Sequence, residues 1–328
     1  MRSKAFLYIF AAALFAFPTF TPAAAQDSNS CLGRSAFPTG TIEQTLESGG
    51  LTREYRVYIP PAYDPAQPTP LVLTLHGFGG NARQQQRESP WDGVAEREGF
   101  IAVYPQGTGA PARWNAGQSQ IEAMERENRG VLGQFLGGFF ESVPADDVTF
   151  IRELVAQLSQ DYCIDPARIY VNGLSNGGGM TNRLACELAD VFAAVGTVAG
   201  AYTEFEGGCN PLRPVPVIAF HGVEDPIVPY EGNPQISFPA IEDWVRSWAQ
   251  RDQCDLDSVE VVQLTEAVAS TRYTNCADDA EVAFYSIADG GHTWPGGTMG
   301  LEFLIGKTSQ DIDASETMWA FFSDHPMP

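Results

Sequence analysis

Short apolar runs recur along the chain and alternate with segments of helical periodicity. Runs of five or six residues rich in β-branched and aromatic side chains predict buried strands. They cover residues 71–75, 100–104, 167–172, 193–198, 215–220 and 282–287, and residues 54–59 alternate as a half-buried strand. Helices are predicted at residues 82–98, with a break near Pro90, at 147–158 and at 241–250. This alternation predicts an α/β fold with a mostly parallel central sheet flanked by helices.

The segment Gly173-Leu174-Ser175-Asn176-Gly177 lies between a predicted strand and a predicted helix. A G-x-S-x-G sequence in that position is typical of the nucleophile elbow of α/β-hydrolases. A serine on so sharp a turn is strained, and glycines allow the strand and the helix to approach closely. The turn would also direct the backbone N–H of Asn176 toward a bound carbonyl oxygen. Because five-residue patterns also occur in ordinary glycine-rich loops, the assignment of Ser175 depends on finding its partners.

A second glycine-rich segment, His76-Gly77-Phe78-Gly79-Gly80, follows the apolar run at residues 71–75. In α/β-hydrolases such a loop supplies a backbone donor to the oxyanion hole. We assign that donor to the N–H of Phe78. His76 lies inside the turn, so we expect it to brace the loop by hydrogen bonding rather than to act as a base.

The candidate acid and base follow two later predicted strands. Asp225 precedes a proline, which favours a tight turn able to hold a carboxylate, and Glu224 is the competing acid. His292 lies in a glycine-flanked loop after the last predicted strand. The order Ser175, Asp225, His292 is the order that the α/β-hydrolase fold requires. Together these residues predict a catalytic triad.

The N-terminus has the pattern of a signal peptide. Two basic residues are followed by an apolar run at residues 5–17 and by Ala-Ala-Ala at 23–25. Prolines interrupt this run too early for a membrane anchor, which needs about 20 apolar residues. We therefore expect residues 1–25 to be a signal peptide, residues 26–328 to form a single catalytic domain, and the protein to be secreted or periplasmic.

The charge of the chain excludes some partners. It carries 41 acidic and 19 basic residues, a formal net charge of −22 at pH 7. A surface so negative repels nucleic acid and anionic lipid, so we expect neither as a partner. The oligomeric state is left open by the sequence.

Six cysteines in an exported chain, an even number, indicate disulfides. No C-x-x-C pair occurs, which argues against a structural zinc site. Six cysteines allow 15 connectivities. We predict two short local bridges and one bridge that ties the N-terminal arm to the stretch before the elbow strand. The predicted pairs are Cys186–Cys209, Cys254–Cys276 and Cys31–Cys163.

Six segments together resemble a known family of exported esterases, the polyhydroxybutyrate depolymerases and the related feruloyl and acetylxylan esterases. The segments are residues 76–81, 114–117, 173–178, 221–229, 292–296 and 311–315. The resemblance covers nearly all of the chain that follows the signal peptide. It implies an α/β-hydrolase with a triad of Ser175, Asp225 and His292, no metal and no organic cofactor. It also implies a carboxylic ester substrate.

The substrate itself is left open. Hydroxyalkanoate or polyester oligomers, feruloyl-type aromatic esters and acetylated xylan all fit the family. A peptidase of the same fold is an alternative, since a triad does not by itself distinguish esters from amides. A non-catalytic binding module is disfavoured because both Ser175 and His292 are present.

Two features are expected near the cleft. Trp114 and Trp294 follow segments assigned to the site, and we predict that at least one forms an aromatic wall, with core packing as the alternative. Residues 118–143 depart from the family pattern and combine apolar side chains with glycines. We predict that this insertion is a cap over the active site, with a surface excursion as the alternative.

Overall fold

The computed structural model describes residue 31 and residues 37–117, 145–300 and 302–328. The predicted signal peptide at residues 1–25 and the predicted cap at 118–143 lie outside the described residues. Both stay predictions.

The described residues contain a ten-stranded mixed sheet. Its strands are β1 (Gly40–Ser48), β2 (Leu51–Ile59), β3 (Thr69–Leu75), β4 (Ile101–Pro105), β5 (Ile164–Leu174), β6 (Ala194–Val198), β7 (Val217–Gly222), β8 (Val259–Gln263), β9 (Val268–Tyr273) and β10 (Val282–Ile287). Their order across the sheet is β1-β2-β4-β3-β5-β6-β7-β10-β9-β8. The six strands from β4 to β10 in this order are parallel, and antiparallel pairs extend the sheet at both edges.

The central strands are buried on both faces, which explains their unbroken apolar sequences. All seven residues of β3 and all five of β6 are buried. The edge strand β1 instead alternates between half-buried and exposed positions. Because the parallel strands end at one edge of the sheet, the loops after β3, β5, β7 and β10 meet there.

Seven α-helices lie within the described residues: α1 (Ala82–Glu88), α2 (Trp91–Glu98), α3 (Asp147–Asp161), α4 (Asn176–Glu187), α5 (Ile241–Arg251), α6 (Glu302–Ile305) and α7 (Ala314–Asp324). The predicted break near Pro90 separates α1 from α2. Asp146 caps α3, and its side chain accepts a hydrogen bond from the N–H of Thr149. Gly99, at φ 77°, ends α2 in the left-handed conformation that glycine favours.

Two apolar layers enclose the sheet. One layer packs α3, α4 and α5 against one face, with Phe150, Met180 and Trp248 among its buried side chains. The other packs α1, α2 and α7 against the opposite face, with Trp91 and Phe322 in its centre. The result is the three-layer arrangement typical of α/β proteins.

Three disulfides join the elements: Cys31–Cys163, Cys186–Cys209 and Cys254–Cys276. These are the predicted pairs. The first attaches the N-terminal arm to the residue before β5, and the other two close local loops beside α4 and α5. Among the residues that the structure describes, no helix combines the length and the apolarity needed to cross a membrane.

Candidate active site

Ser175 occupies a sharp turn between β5 and α4. Its φ is 56° and its ψ is −119°, a conformation that costs a non-glycine residue free energy and that persists only where the surroundings enforce it. The neighbouring glycines make the turn possible. A Cβ on Gly173 would meet the backbone of Gly177, and a Cβ on Gly177 would meet the carbonyl oxygens of Leu75 and His76. Ser175 therefore stands at the carboxyl edge of the sheet.

The predicted acid and base are hydrogen-bonded to each other. Nδ1 of His292 lies 2.8 Å from Oδ2 of Asp225. An ionised carboxylate only accepts, so Nδ1 is the donor, and Nε2 of the neutral ring is left as an acceptor. The other carboxylate oxygen, Oδ1, accepts from the backbone N–H groups of Ile227 and Val228, each at 2.8 Å. The competing acid, Glu224, is exposed and has no such arrangement with His292.

One cavity of about 440 Å³ contains both Ser175 and His292. Phe78 lines it as well, with 37% of its surface exposed. Asp225 lies behind His292 and is only 6% exposed. The structure thus brings the predicted nucleophile and base to one opening, with the predicted acid buried against the base.

The loop that carries Phe78 is braced by His76, in the way the sequence predicted. Nδ1 of His76 donates to the carbonyl oxygen of Gly77 at 2.8 Å, and Nε2 accepts from the N–H of Gly107 at 2.9 Å. Burial lowers the pKa of His76 to about 4. A ring held neutral in this way can donate from one nitrogen and accept at the other, as both contacts require.

Trp114 and Trp294 lie elsewhere than predicted. Trp114 is 2% exposed and Trp294 is fully buried, and neither lines the cavity that contains Ser175. The indole N–H of Trp114 donates to the carbonyl oxygen of His76 at 2.9 Å, and that of Trp294 donates to Oγ of Ser315 at 3.1 Å. The indole N–H of a tryptophan packed in a protein core usually has a hydrogen-bond partner. The prediction of an aromatic wall is wrong for this cavity.

Trp114 nevertheless connects two parts of the site. The side chain of Asn176, the first residue of α4, accepts from the backbone N–H of Trp114 at 2.7 Å and donates to its carbonyl oxygen at 3.1 Å. Since Trp114 also bonds to His76, it links the elbow to the loop of Phe78. This link fixes the relative position of the two residues whose N–H groups were assigned to the oxyanion hole.

The sequence interpretation assigned no role to His221. Its Nε2 donates to the carbonyl oxygen of Val228 at 2.9 Å and lies 3.4 Å from Oδ2 of Asp225. Burial lowers the pKa of His221 to about 4, so the ring is neutral at pH 7. The only signal in the sequence was its position four residues before Asp225.

The sequence interpretation also missed a polar wall. Asn81, Gln84, Gln85 and Glu88, in and beside α1, line the cavity with Ser175. Their segment was predicted as a helix, but its polar face was assigned no role. Within the described ranges, no group of three or more His, Cys, Asp or Glu side chains is arranged to hold a metal ion.

The chain matches one family model and is similar to feruloyl esterases and to an acetyl xylan esterase. Residues 53–209 match a family model described as Esterase PHB depolymerase. Feruloyl esterase B of Piromyces equi is 30% identical over 77% of this chain, which spans 45% of the length of that protein. Feruloyl esterase C of Emericella nidulans is 27% identical over 94% of this chain and 96% of that protein. The predicted resemblance and the predicted class, carboxylic ester hydrolase, are confirmed.

A solved structure supports the fold. The acetyl xylan esterase from Aspergillus awamori superposes with a TM-score of 0.58 at 16% identity, over 85% of this chain and 98% of that one. The predicted α/β-hydrolase fold is confirmed.

Proposed function

We propose that the chain is an exported serine esterase that cleaves carboxylic esters through an acyl-enzyme intermediate, a proposal supported by the match of residues 53–209 to the family model described as Esterase PHB depolymerase. Ser175 is the nucleophile, His292 the general base and Asp225 the residue that orients His292. The observation that carries this proposal is the hydrogen bond of 2.8 Å between His292 and Asp225, behind a cavity that also holds Ser175.

The reaction proceeds in two steps of acyl transfer. Nε2 of His292 takes the proton of the Ser175 hydroxyl as Oγ attacks the ester carbonyl carbon. The N–H groups of Phe78 and Asn176 hold the oxyanion, and losing one such donor typically lowers kcat by about 10²- to 10³-fold. His292 then gives its proton to the departing alcohol oxygen. In the second step His292 activates a water molecule, which releases the acid and restores the Ser175 hydroxyl.

Asp225 contributes without changing its protonation state. Its carboxylate keeps the proton of His292 on Nδ1, so that Nε2 faces the nucleophile, and it stabilises the imidazolium that forms. The two backbone N–H groups that bond to Oδ1 fix the carboxylate in the orientation this requires.

Feruloyl-type aromatic esters and hydroxyalkanoate oligomers are the candidate substrates. The names of the relatives favour the aromatic esters, and the family description favours the polyester. The cavity suits the acid part of either ester, because it has an apolar surface. That surface is formed by Phe78, Leu174, Met299 and Ile305.

Export is part of the proposal. Three disulfides are typical of proteins that fold in an oxidising compartment, and the N-terminal sequence has the pattern of a signal peptide. We expect the mature protein in the periplasm or the medium. Mass spectrometry of the exported protein should show an N-terminus at Gln26.

The experiment that tests the activity combines labelling with hydrolysis. A fluorophosphonate probe should label the wild-type protein at Ser175, and the Ser175→Ala variant should be neither labelled nor active on nitrophenyl esters. We expect kcat to fall about 10⁶-fold in that variant. Labelling at another residue, or substantial activity in Ser175→Ala, would contradict the proposal.

A further inference from the structure

The carboxylate of Asp225 lies between two imidazole rings. Nδ1 of His292 is 2.8 Å from Oδ2 of Asp225, and Nε2 of His221 is 3.4 Å from the same oxygen. The proposed reaction uses only the first of these contacts. The side chains of His221 and Asp225 are 1% and 0% exposed. The second contact is therefore buried, and solvent does not weaken it.

His221 is not placed to act as a second base. It does not line the cavity that contains Ser175. Its Nε2 lies 2.9 Å from the carbonyl oxygen of Val228, which only accepts, so Nε2 carries a proton. Burial lowers the pKa of His221 to about 4, so the ring holds that single proton at pH 7 and is neutral. His221 is thus an uncharged donor at a fixed place beside Asp225.

The donor belongs to a rigid element, whereas the acid belongs to a turn. His221 lies in β7, one residue before the strand ends. Before Asp225, the N–H of Val223 ties the backbone to β10 by donating to the carbonyl oxygen of Ile287 at 2.8 Å. After Asp225, the hydrogen bond back to β7 is the one from His221 to Val228.

Val228 connects His221 to the acid. Its carbonyl oxygen accepts from His221, and its N–H donates to Oδ1 of Asp225 at 2.8 Å. Both carboxylate oxygens therefore depend on His221, Oδ1 through Val228 and Oδ2 through the direct contact at 3.4 Å. A displacement of Val228 would turn the carboxylate away from His292.

We propose that His221 is a positioning residue for the triad, which holds the turn at residues 225–228 against β7 so that Oδ2 of Asp225 faces His292. This inference rests on the proposed esterase function and deepens it. His221 lies outside the cavity with Ser175 and acts only through Asp225. Its removal should therefore slow the chemical step and leave substrate binding unchanged.

One pair of variants separates loss of the donor from loss of the ring. His221→Leu removes the donor, whereas the amide nitrogen of His221→Gln can take the place of Nε2 and donate to Val228. With a nitrophenyl ester at pH 8, we expect kcat to fall about 10- to 100-fold in His221→Leu, since a misplacement of about 1 Å can cost 10²-fold. KM should stay within about twofold. His221→Gln should restore kcat to within about threefold of the wild type.

The fold should tolerate this change, because Val228 is itself 3% exposed and packed in the apolar layer of α3, α4 and α5. If urea unfolding shows that His221→Leu does not fold, His221→Asn takes its place. The shorter amide of asparagine ends near the position of Nδ1 and does not reach Val228. The same loss of kcat is expected.

A matched control exists at the end of α7. Nδ1 of His325 donates to the carbonyl oxygen of Phe321 at 2.7 Å, and its Nε2 lies 3.9 Å from Oε2 of Glu281. His325→Leu therefore removes the same kinds of contact, to a carbonyl oxygen and to a carboxylate, away from the cavity with Ser175. It should leave kcat within about twofold of the wild type.

A double-mutant cycle tests whether His221 acts through Asp225. In an Asp225→Asn background, His221→Leu should lower kcat by less than about twofold, because the group that it positions is already lost. An equal fall in both backgrounds, an unchanged kcat in His221→Leu, or a failure of His221→Gln to restore kcat would overturn the inference. Wild-type activity in Ser175→Ala or Asp225→Asn would contradict the proposed function instead, so the two failures are distinguishable.

Discussion

Two backbone N–H groups determine which carboxylate can serve His292. Those of Ile227 and Val228 both bond to Oδ1 of Asp225, which directs Oδ2 toward the imidazole. Glu224 is exposed, and its own N–H donates to the carbonyl oxygen of Gly290. The role of the acid thus depends on the turn as much as on the side chain.

Replacing the proposed acid should therefore reverse the tautomer of His292. Asp225→Asn presents an amide that can donate to Nδ1, so the proton moves to Nε2, which can no longer accept from Ser175. We expect kcat to fall about 10⁴-fold, measured with a nitrophenyl ester at pH 8. Glu224→Gln is the matched control and should stay within twofold of the wild type. A comparable loss in Glu224→Gln would identify Glu224 as the acid.

A second prediction at the residue scale concerns His221 and the pH dependence of the free energy of unfolding. Burial lowers its pKa from 6.5 to about 4 in the folded protein, although Asp225 acts in the opposite direction. Between pH 6.5 and 4 the unfolded chain binds a proton at this position that the folded protein does not bind. The free energy of unfolding therefore falls as the pH falls through this window, by about 3 kcal/mol for this group.

The measurement is a difference between the wild type and His221→Gln. Glutamine does not titrate, and its amide can still donate to the carbonyl oxygen of Val228. Urea unfolding at pH 7 and pH 4 should show that the wild type loses about 3 kcal/mol more than the variant. The buried carboxyl of Asp252, whose pKa is raised to about 7, acts in the opposite direction, but equally in both proteins. Parallel pH curves would contradict the assignment.

The sequence interpretation located residues of the cavity correctly where each follows a buried strand within a glycine-containing loop. Ser175, His292 and Phe78 fit that description, and the structure brings them to one cavity. It failed for Trp114 and Trp294, because proximity in sequence to a site residue does not determine which way a large side chain points. The polar face of α1 was missed because exposed and cavity-lining polar residues have the same sequence pattern.

At the scale of elements, burial decided which parts of the fold could be predicted. The buried parallel strands were found with bounds that differ by one to three residues, and residues 282–287 match β10. The edge strands β1 and β8, and β9 next to β8, were not predicted. Four of the five residues of β8 are exposed, and its three valines form neither a run of more than two apolar residues nor a sustained alternation. β8 joins the sheet by pairing with β9, and this pairing cannot be recognised from the local sequence of β8.

Replacing a glycine with alanine should have opposite effects on stability in the elbow and in helix α2. Gly177, at the start of α4, has no room for a Cβ, because the carbonyl oxygens of Leu75 and His76 occupy the space. Gly93 lies inside α2 with no atom within 4 Å of a Cβ. Gly177→Ala should lower the free energy of unfolding by about 2 kcal/mol and abolish hydrolysis. Gly93→Ala should raise it by about 1 kcal/mol, since alanine favours a helix.

Thermal and urea unfolding of the two variants provides the measurement, and each variant controls for the other. The comparison isolates the space around the glycine, since the chemical change is the same. If Gly177→Ala folds with wild-type stability and full activity, the close approach of α4 to the end of β3 is not what makes the elbow possible.

At the scale of the whole molecule, the three disulfides constrain very different lengths of chain. Cys31–Cys163 joins residues 132 positions apart, whereas Cys254–Cys276 spans 22. In the chain-entropy description a bridge stabilises the fold by restricting the unfolded state, and its effect grows with the logarithm of the loop length. The bridge to the N-terminal arm should therefore contribute most.

Removing each bridge in turn tests this ranking. The double variant Cys31→Ala/Cys163→Ala should lose about 5 kcal/mol of unfolding free energy, and Cys254→Ala/Cys276→Ala about 3 kcal/mol, both measured by urea unfolding. The side chains removed are the same, so the difference reports the length of the closed loop. Cys163 lies directly before β5, and a bridge at this point limits how far the N-terminal arm can separate from the strand that leads to Ser175. If the short bridge proves the more stabilising, restriction of the unfolded chain is not the main contribution of these disulfides.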